Sequence, residues 1–496
     1  MGTPQIAATG NERNEMGRFQ RKQFGCIIAP CREAQKPPGL EGEVTACNIQ
    51  ANSVPSIAYC TVWRYYICMQ HPSKQCALYP HRFDRWRLLP LLFVAAGGLN
   101  GNSALAAENK ASLSNFVVAG DSLSAGYQNS QLIDSSQIHG YANVIAAQAG
   151  VDLNLPLLPP PGFPQIQIQG GFAVATKYNF VARLNNQQTR DVAVPGFTVG
   201  ALVAYQAVCN ADTSSPLYPV QVMAAEILNP NCSTPAPTQL AEAAALQPST
   251  SILWIGSNDA LFAILFGGDP TDATTFGYLH QIAFSTMAQA SGKLVLANIP
   301  DVTLVPYLTS IERLAGVLDL SVATVETALG LQPGDMVTPY AFALIQAPLS
   351  SLPDSIAQVP VVIRASKISQ IRTAVAAYNA IIAQEAADNH ALLVDVYSLI
   401  NDLAANGVVV NGQKLTTGFM GGLFSLDGIH PTNTGYAIIA KEFIKAMNRS
   451  LAAGIPQVSV EQVSKTDPLI FPDGHLGKRT GHVSEQMANA LRAVMR

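Results

Sequence analysis

Five short aliphatic runs, each closed by turn-forming residues, recur along the chain and limit what it folds into more than any other feature. They are Phe116 to Ala119, Val192 to Val194, Ile252 to Ile255, Leu294 to Ala297 and Leu392 to Val396. The side chains in each run are apolar at successive positions rather than alternate ones, so both faces of the strand must be buried. Helical patterns separate the runs. In the clearest, from Ile371 to Ala387, the residues Ile371, Val375, Tyr378 and Ile382 recur on one face. Another follows Thr434 and carries Tyr436, Ile439 and Phe443. Strands buried on both faces and alternating with helices predict an α/β fold: a doubly wound, mostly parallel sheet in a three-layer sandwich. In such sheets the functional groups gather beyond the carboxyl ends of the strands.

Composition narrows the classes further. Hydrophobic residues form 48% of the 496 positions and charged residues only 12%. No uninterrupted apolar run approaches the roughly 20 residues a bilayer span needs, so no integral membrane segment is expected in the mature protein. The formal net charge is -4, and the body of the chain has no Lys/Arg cluster. A nucleic-acid partner therefore lacks its electrostatic footprint.

The first hundred residues differ from the rest. Between Met1 and about Arg87 the sequence is polar and irregular, and it holds Cys26, Cys31, Cys47, Cys60, Cys68 and Cys76 of eight cysteines in all. Their spacings match no zinc site. Next come Arg82, Arg85 and Arg87, an apolar run from Leu88 to Ala96, a Gly97-Gly98 break and the triplet Ala104-Leu105-Ala106. That order describes a secretory signal peptide, with a short buried helix as the alternative. A leader belongs at a chain start, so translation is expected to begin at Met69, with residues 1–68 a non-native or disordered extension. The expected organisation is a signal region over 69–106, an α/β domain over 107–455 and a polar tail over 456–496, with a short helix near Glu485 to Val494. The mature protein is then secreted or periplasmic after cleavage near Ala106. It keeps only Cys209 and Cys232, which form a disulfide in an oxidising compartment unless they remain two buried thiols.

Three polar motifs stand where chemistry is expected. Gly120-Asp121-Ser122-Leu123 follows the first strand at a tight turn, where a helix N-terminus is expected to favour negative charge. It is not the G-x-S-x-G elbow. Taken alone, Asp-Ser before an apolar run also reads as a helix cap, and so does Asn258 in Gly256-Ser257-Asn258-Asp259. Asp427-Gly428-Ile429-His430-Pro431 is more telling, because a spacing of three lets a carboxylate reach Nδ1 and leaves Nε2 for a hydroxyl. His139, His280 and His390 lie in no comparable context.

Together with Ala193-Val194-Pro195-Gly196, these motifs resemble, in order, the four blocks of the SGNH family of GDSL esterases and lipases. The resemblance covers roughly Phe116 to Met447. It departs at Asp191, where the second block often opens with asparagine, a difference that touches no catalytic group. It implies an SGNH-hydrolase, flavodoxin-like sandwich with long insertions. It also implies a secreted serine hydrolase cleaving carboxylic esters, with Ser122 as nucleophile, His430 as base and Asp427 orienting the imidazole. The amides of Ser122 and Gly196 and the side chain of Asn258 would hold the oxyanion, with no metal and no cofactor.

The partner is expected to be a small-molecule or lipid ester. Leu155 to Pro164, Leu261 to Phe266 and Val302 to Val359 are candidate walls for the acyl group, and their apolar character favours fatty acyl esters. A polysaccharide acetylesterase or a phospholipase on the same site remains open, as does a secreted binding protein that has kept the fold without catalysis.

Overall fold

The computed structural model describes residues 111–470, apart from 170–171, 180, 216, 319 and 342–360. The proposed leader and its cysteines, the Met69 start and the helix near Glu485 lie outside the described residues. In chain order the elements begin with β1 (Phe116–Gly120), α1 (Asp134–Gln137) and α2 (Tyr141–Ala149). The hairpin β2 (Gln165–Gln169) and β3 (Phe172–Lys177) follows, then α3 (Val199–Ala204), α4 (Tyr218–Leu228) and α5 (Gln239–Ala245). Next are β4 (Thr250–Trp254), α6 (Ser257–Leu265), α7 (Ala273–Ala290) and β5 (Lys293–Ala297). An insertion contributes β6 (Thr309–Ser310), α8 (Ile311–Leu318), α9 (Val322–Leu329), β7 (Met336–Val337) and β8 (Val362–Ile363). The remainder is α10 (Ala365–Asp388), β9 (Leu392–Val394), α11 (Val396–Asn406), β10 (Val408–Val410), β11 (Gln413–Leu415), α12 (Asn433–Leu451) and α13 (Val460–Thr466).

The central sheet runs β1-β4-β5-β9, all parallel, with Ala119, Leu253, Leu296 and Leu393 in one register row. All five residues of β1 and all five of β4 are buried, as strands covered on both faces require. The run at Val192 to Val194 was expected as a strand. It lies parallel beside β1, with Val192 N donating to Val118 O and Val194 N to Gly120 O, although its pairing reduces to a single bridge at Asp191. The turn at Pro195 and Gly196 stops the ladder early. Counted as the second strand, this segment gives the order 2-1-3-4-5 of flavodoxin-like sheets.

Helices cover both faces. α12 packs on α2 and β9, and α7 packs on α3, α5 and α10. Within the core Tyr141 stacks on Phe443, ring centroids 4.9 Å apart, and meets Trp254 edge-on at 5.3 Å. The insertion has its own small core around Leu314, Val325 and Val337. Cys209 and Cys232 are joined, with Cα atoms 5.6 Å apart, which ties the chain after α3 to the chain after α4.

The chain beyond 455 differs from its expectation as a tail. Ile455, Val458, Val460 and Ile470 are buried in the main core, and Asp467 Oδ2 accepts from both the amide and the hydroxyl of Thr434 at 2.7 Å. The sparse apolar residues of this stretch are enough to cover one patch of α12, which its weak periodicity concealed. The packed body therefore continues to Ile470. Among the described residues no helix is long and apolar enough to cross a membrane.

Candidate active site

The sheet delivers three of the four motifs to one edge. β1 ends at Gly120, where a Cβ would lie 2.4 Å from Trp254 O, so only glycine lets the turn close against β4. Beyond it Asp121 Oδ1 accepts from Leu123 N at 3.0 Å, and Asp121 O accepts from Ser124 N and Ala125 N at 3.1 Å. Ser122 sits within this turn. The helix expected directly behind it is absent: residues 121–126 form turns and bends, and the first helix of the domain starts at Asp134. Ser124 Oγ hydrogen-bonds Tyr141 OH at 2.8 Å and anchors the turn to the aromatic core.

Gly256 follows β4 with φ +122 and opens α6, placing Asn258 in its first turn. Asn258 Nδ2 donates to Phe197 O at 2.9 Å, and Asp259 Oδ2 accepts from Val199 N at 2.9 Å. These two bonds strap the segment containing Gly196, itself at φ +83, to the start of α6. Among the described residues, the amides of Ser122 and Gly196 donate to no protein acceptor.

The fourth motif is a closed loop bridged by Phe424 and Pro431, in which Ser425 N donates to His430 O at 2.8 Å. Asp427 Oδ1 accepts from the amides of Ile429 and His430, each at 2.8 Å, and from Ser425 Oγ at 3.1 Å. Its Oδ2 accepts from Ser130 N at 2.8 Å and meets His430 Nδ1 at 2.8 Å. His430 Nε2 lies 2.8 Å from Ser122 Oγ. Hydroxyl, imidazole and carboxylate thus form one continuous chain, buried except for a narrow face on a cleft.

Four buried aspartates stand in or just before the four motifs, and their environments separate them. Burial pushes Asp121 up to about 7, Asp191 to about 8 and Asp259 to about 6. Burial acts on Asp427 in the same direction. There, however, the facing His430 charge and the hydrogen bonds outweigh it and hold the carboxyl below its ordinary 3.8. Of the four, Asp427 is the one held firmly ionised, as a partner for an imidazolium must be.

The cleft brings together Ser122, Asn258 and His430 with Leu123, Trp254, Leu261, Val302, Val305, Ile400 and Ile439. Of the expected walls, Leu261, Val302 and Val305 reach it. Leu155 to Pro164 does not: Leu155 and Leu158 are buried in the body instead. Phe266 is 69% exposed, outside the cleft, and 342–359 lies outside the described residues. The contribution of α11 and α12 to the floor was missed: Ile439 read only as a position in a helical pattern, and Ile400 carried no signal of its own. Ser130 and Ser425, which complete the contacts of Asp427, were missed as well. The one local signal was Asn129-Ser130 as a turn.

His280 differs from expectation, since it too meets a carboxylate, Glu385 Oε2 at 2.5 Å. That pair lines no part of the cleft and lies between α7 and α10, under the ring of Phe276. A histidine beside an acid therefore marks a site only where a cleft exposes it. Among the described residues no group of three His, Cys, Asp or Glu side chains is arranged to hold a metal ion.

Fold and cleft define an α/β three-layer hydrolase. The family model for the GDSL-like Lipase/Acylhydrolase family matches residues 116–443, and the chain belongs to that family; it is a carboxylic ester hydrolase. No curated protein matches the chain in sequence. Among solved structures it is similar to LAE5, an alpha/beta hydrolase from the metagenome of Lake Arreo, Spain, at 15% identity and TM-score 0.31 over 69% of this chain and 98% of that one. It is similar also to Axe2, an acetylxylan esterase from Geobacillus stearothermophilus, at 13% identity and TM-score 0.33 over 68% and 96%. An extracellular lipase from Streptomyces rimosus matches at 14% identity and TM-score 0.28 over 68% and 98%. None of the three fixes what this chain acts on.

Proposed function

We propose that this protein is an exported serine esterase that cleaves esters of apolar acyl groups through an acyl-enzyme on Ser122. The observation that carries the reading is the 2.8 Å approach of His430 Nε2 to Ser122 Oγ, with Nδ1 held at 2.8 Å by Asp427. His430 takes the hydroxyl proton as Ser122 Oγ bonds to the ester carbon, and Asp427 stabilises the imidazolium that forms. The imidazolium returns the proton to the departing alcohol. Water then repeats the sequence against the acyl-enzyme, releasing the acid and regenerating Ser122.

The oxyanion of each tetrahedral intermediate is held by the amides of Ser122 and Gly196 and by Asn258. Both amides lack a protein acceptor, and Asn258 spends only one of its two side-chain protons on Phe197. Each such donor lowers the barrier by about 3 to 4 kcal/mol. The aliphatic and aromatic lining of the cleft supports an apolar acyl group over a sugar-bearing one. Export is supported by the Cys209–Cys232 bond, which an oxidising compartment preserves, and by the charge, apolar run and Ala-x-Ala order of residues 82–106. We place the catalytic domain at 107–470.

Hydrolysis of p-nitrophenyl esters of rising chain length, beside acetylated xylan and phospholipid, tests the reading. Medium to long acyl esters should be preferred, and Ser122→Ala should abolish turnover without unfolding the protein. Preference for acetylated xylan would overturn the acyl assignment. Full activity in Ser122→Ala would overturn the mechanism.

A further inference from the structure

We propose that the residues just past the nucleophile turn, Tyr127–Ser130, act with Ser425 as positioning residues that hold the Asp427–His430 pair in register with Ser122. The proposal rests on the triad reading above. Ser122 and His430 are 308 residues apart and stand on separate loops, yet proton transfer needs them fixed to a few tenths of an ångström. The strand framework places only the Ser122 side of that contact.

The segment after Ser122 supplies the other side. Gln128 Nε2 donates to Pro431 O at 2.9 Å, and Tyr127 O accepts from Tyr436 OH at 2.7 Å. Asn129 Oδ1 accepts from Leu426 N at 2.9 Å. Two routes then end on Asp427 itself. Ser130 N donates directly to Oδ2 at 2.8 Å. Asn129 N donates to Ser425 Oγ at 3.0 Å, which occupies a lone pair of that hydroxyl and leaves its proton for Asp427 Oδ1, 3.1 Å away.

The backbone is bent to make this possible. Asn129 and Ser130 have φ of 53° and 58°, two consecutive left-handed residues that carry a Cβ. That conformation is unfavourable outside glycine and persists where surrounding contacts enforce it. Its result here is that both successive amides face the acid-bearing loop. Over the imidazole itself lies the ring of Tyr127, with centroids 4.8 Å apart and planes 57° to each other. The segment that carries the nucleophile therefore also orients the carboxylate and covers the base.

Ordinary loop stitching would give similar bonds, and epistasis separates the two. Ser425→Ala deletes one donor to Asp427, while Asn129→Gly keeps the left-handed turn and the amide but deletes the acceptor for Leu426. Each should lower kcat between about tenfold and a hundredfold with KM nearly unchanged, as misplacement of a reacting group does. In an Asp427→Asn background Ser425→Ala should add almost nothing, because the carboxylate through which it acts is gone. Full kcat in both single variants, or a loss by Ser425→Ala that adds completely to that of Asp427→Asn, would overturn the proposal. Should Ser425→Ala fail to fold, Asn129→Gly carries the same test on kcat. Asp427→Asn separates the two levels of the account: near-normal activity there sinks the triad itself, whereas a crippled Asp427→Asn beside fully active Ser425→Ala and Asn129→Gly sinks only the positioning role.

Discussion

Replacing Asp427 by asparagine removes one charge and almost no volume, so its effect is decided by the contacts of this side chain. Oδ1 takes three donors, the amides of Ile429 and His430 and the hydroxyl of Ser425; Oδ2 takes Ser130 N and His430 Nδ1. An asparagine must turn its NH2 toward one of these sets. If it faces His430, the imidazole must accept at Nδ1 and carry its proton on Nε2, so it cannot take the proton of Ser122. If it faces the loop amides, all three donors to Oδ1 lose their acceptor and the loop that presents His430 opens. A base in the wrong tautomer costs about 10⁴ in turnover, which is about 5.5 kcal/mol at 1.36 kcal/mol per factor of ten. The assay is steady-state hydrolysis of a p-nitrophenyl ester, with KM measured alongside and circular dichroism to check folding. A folded Asp427→Asn enzyme within about tenfold of the parent turnover would refute the role given to this carboxylate.

Three further outcomes are expected. Asn258→Ala should lower kcat by about a hundred- to a thousandfold with KM nearly constant, since it removes a donor used only in the transition state; a change confined to KM would reassign Asn258 to substrate binding. Burial raises Asp191 from 3.8 to about 8, so the stability tied to its neutral form is fully present below about pH 4 and is lost as pH rises through about 8. Asp191→Asn fixes a neutral side chain that still accepts from Ala193 N, so its Tm should fall less than that of the parent between pH 5 and 9, and parallel Tm curves would contradict this. The Cys209–Cys232 bond closes a loop of about 24 residues, worth roughly 3 kcal/mol in the chain-entropy account. Alkylation of the denatured, unreduced protein should leave both cysteines unlabelled, and labelling of either would count against the bond.

Much of this architecture was legible because burial on both faces leaves continuous aliphatic runs. β1, β4, β5 and β9 coincide with four of the five runs, and α10 and α12 with the two strongest helical patterns. The three polar motifs were legible because each sits where a strand stops or a loop tightens, and Ala193-Val194-Pro195-Gly196 was legible through its order among them. What was not legible depends on contacts between distant segments. Ser425 and Ser130 carry no periodic or spacing signal, and their meaning arises only when the loop after β1 meets the loop before α12. Ile439 read as one position of a helix face and is core, except that a cleft reaches it. Past 455 too few apolar residues remain to show a period, yet Asp467 caps the start of α12.

The central claim, a nucleophilic Ser122 activated by His430, is tested most directly by treating the protein with a fluorophosphonate and mapping the adduct by mass spectrometry. Only an activated serine is phosphonylated at an appreciable rate. The account predicts one adduct, on the peptide containing Ser122, and its loss in His430→Ala with the protein still folded. An unlabelled Ser122 in active enzyme, or labelling that persists undiminished without His430, would contradict it.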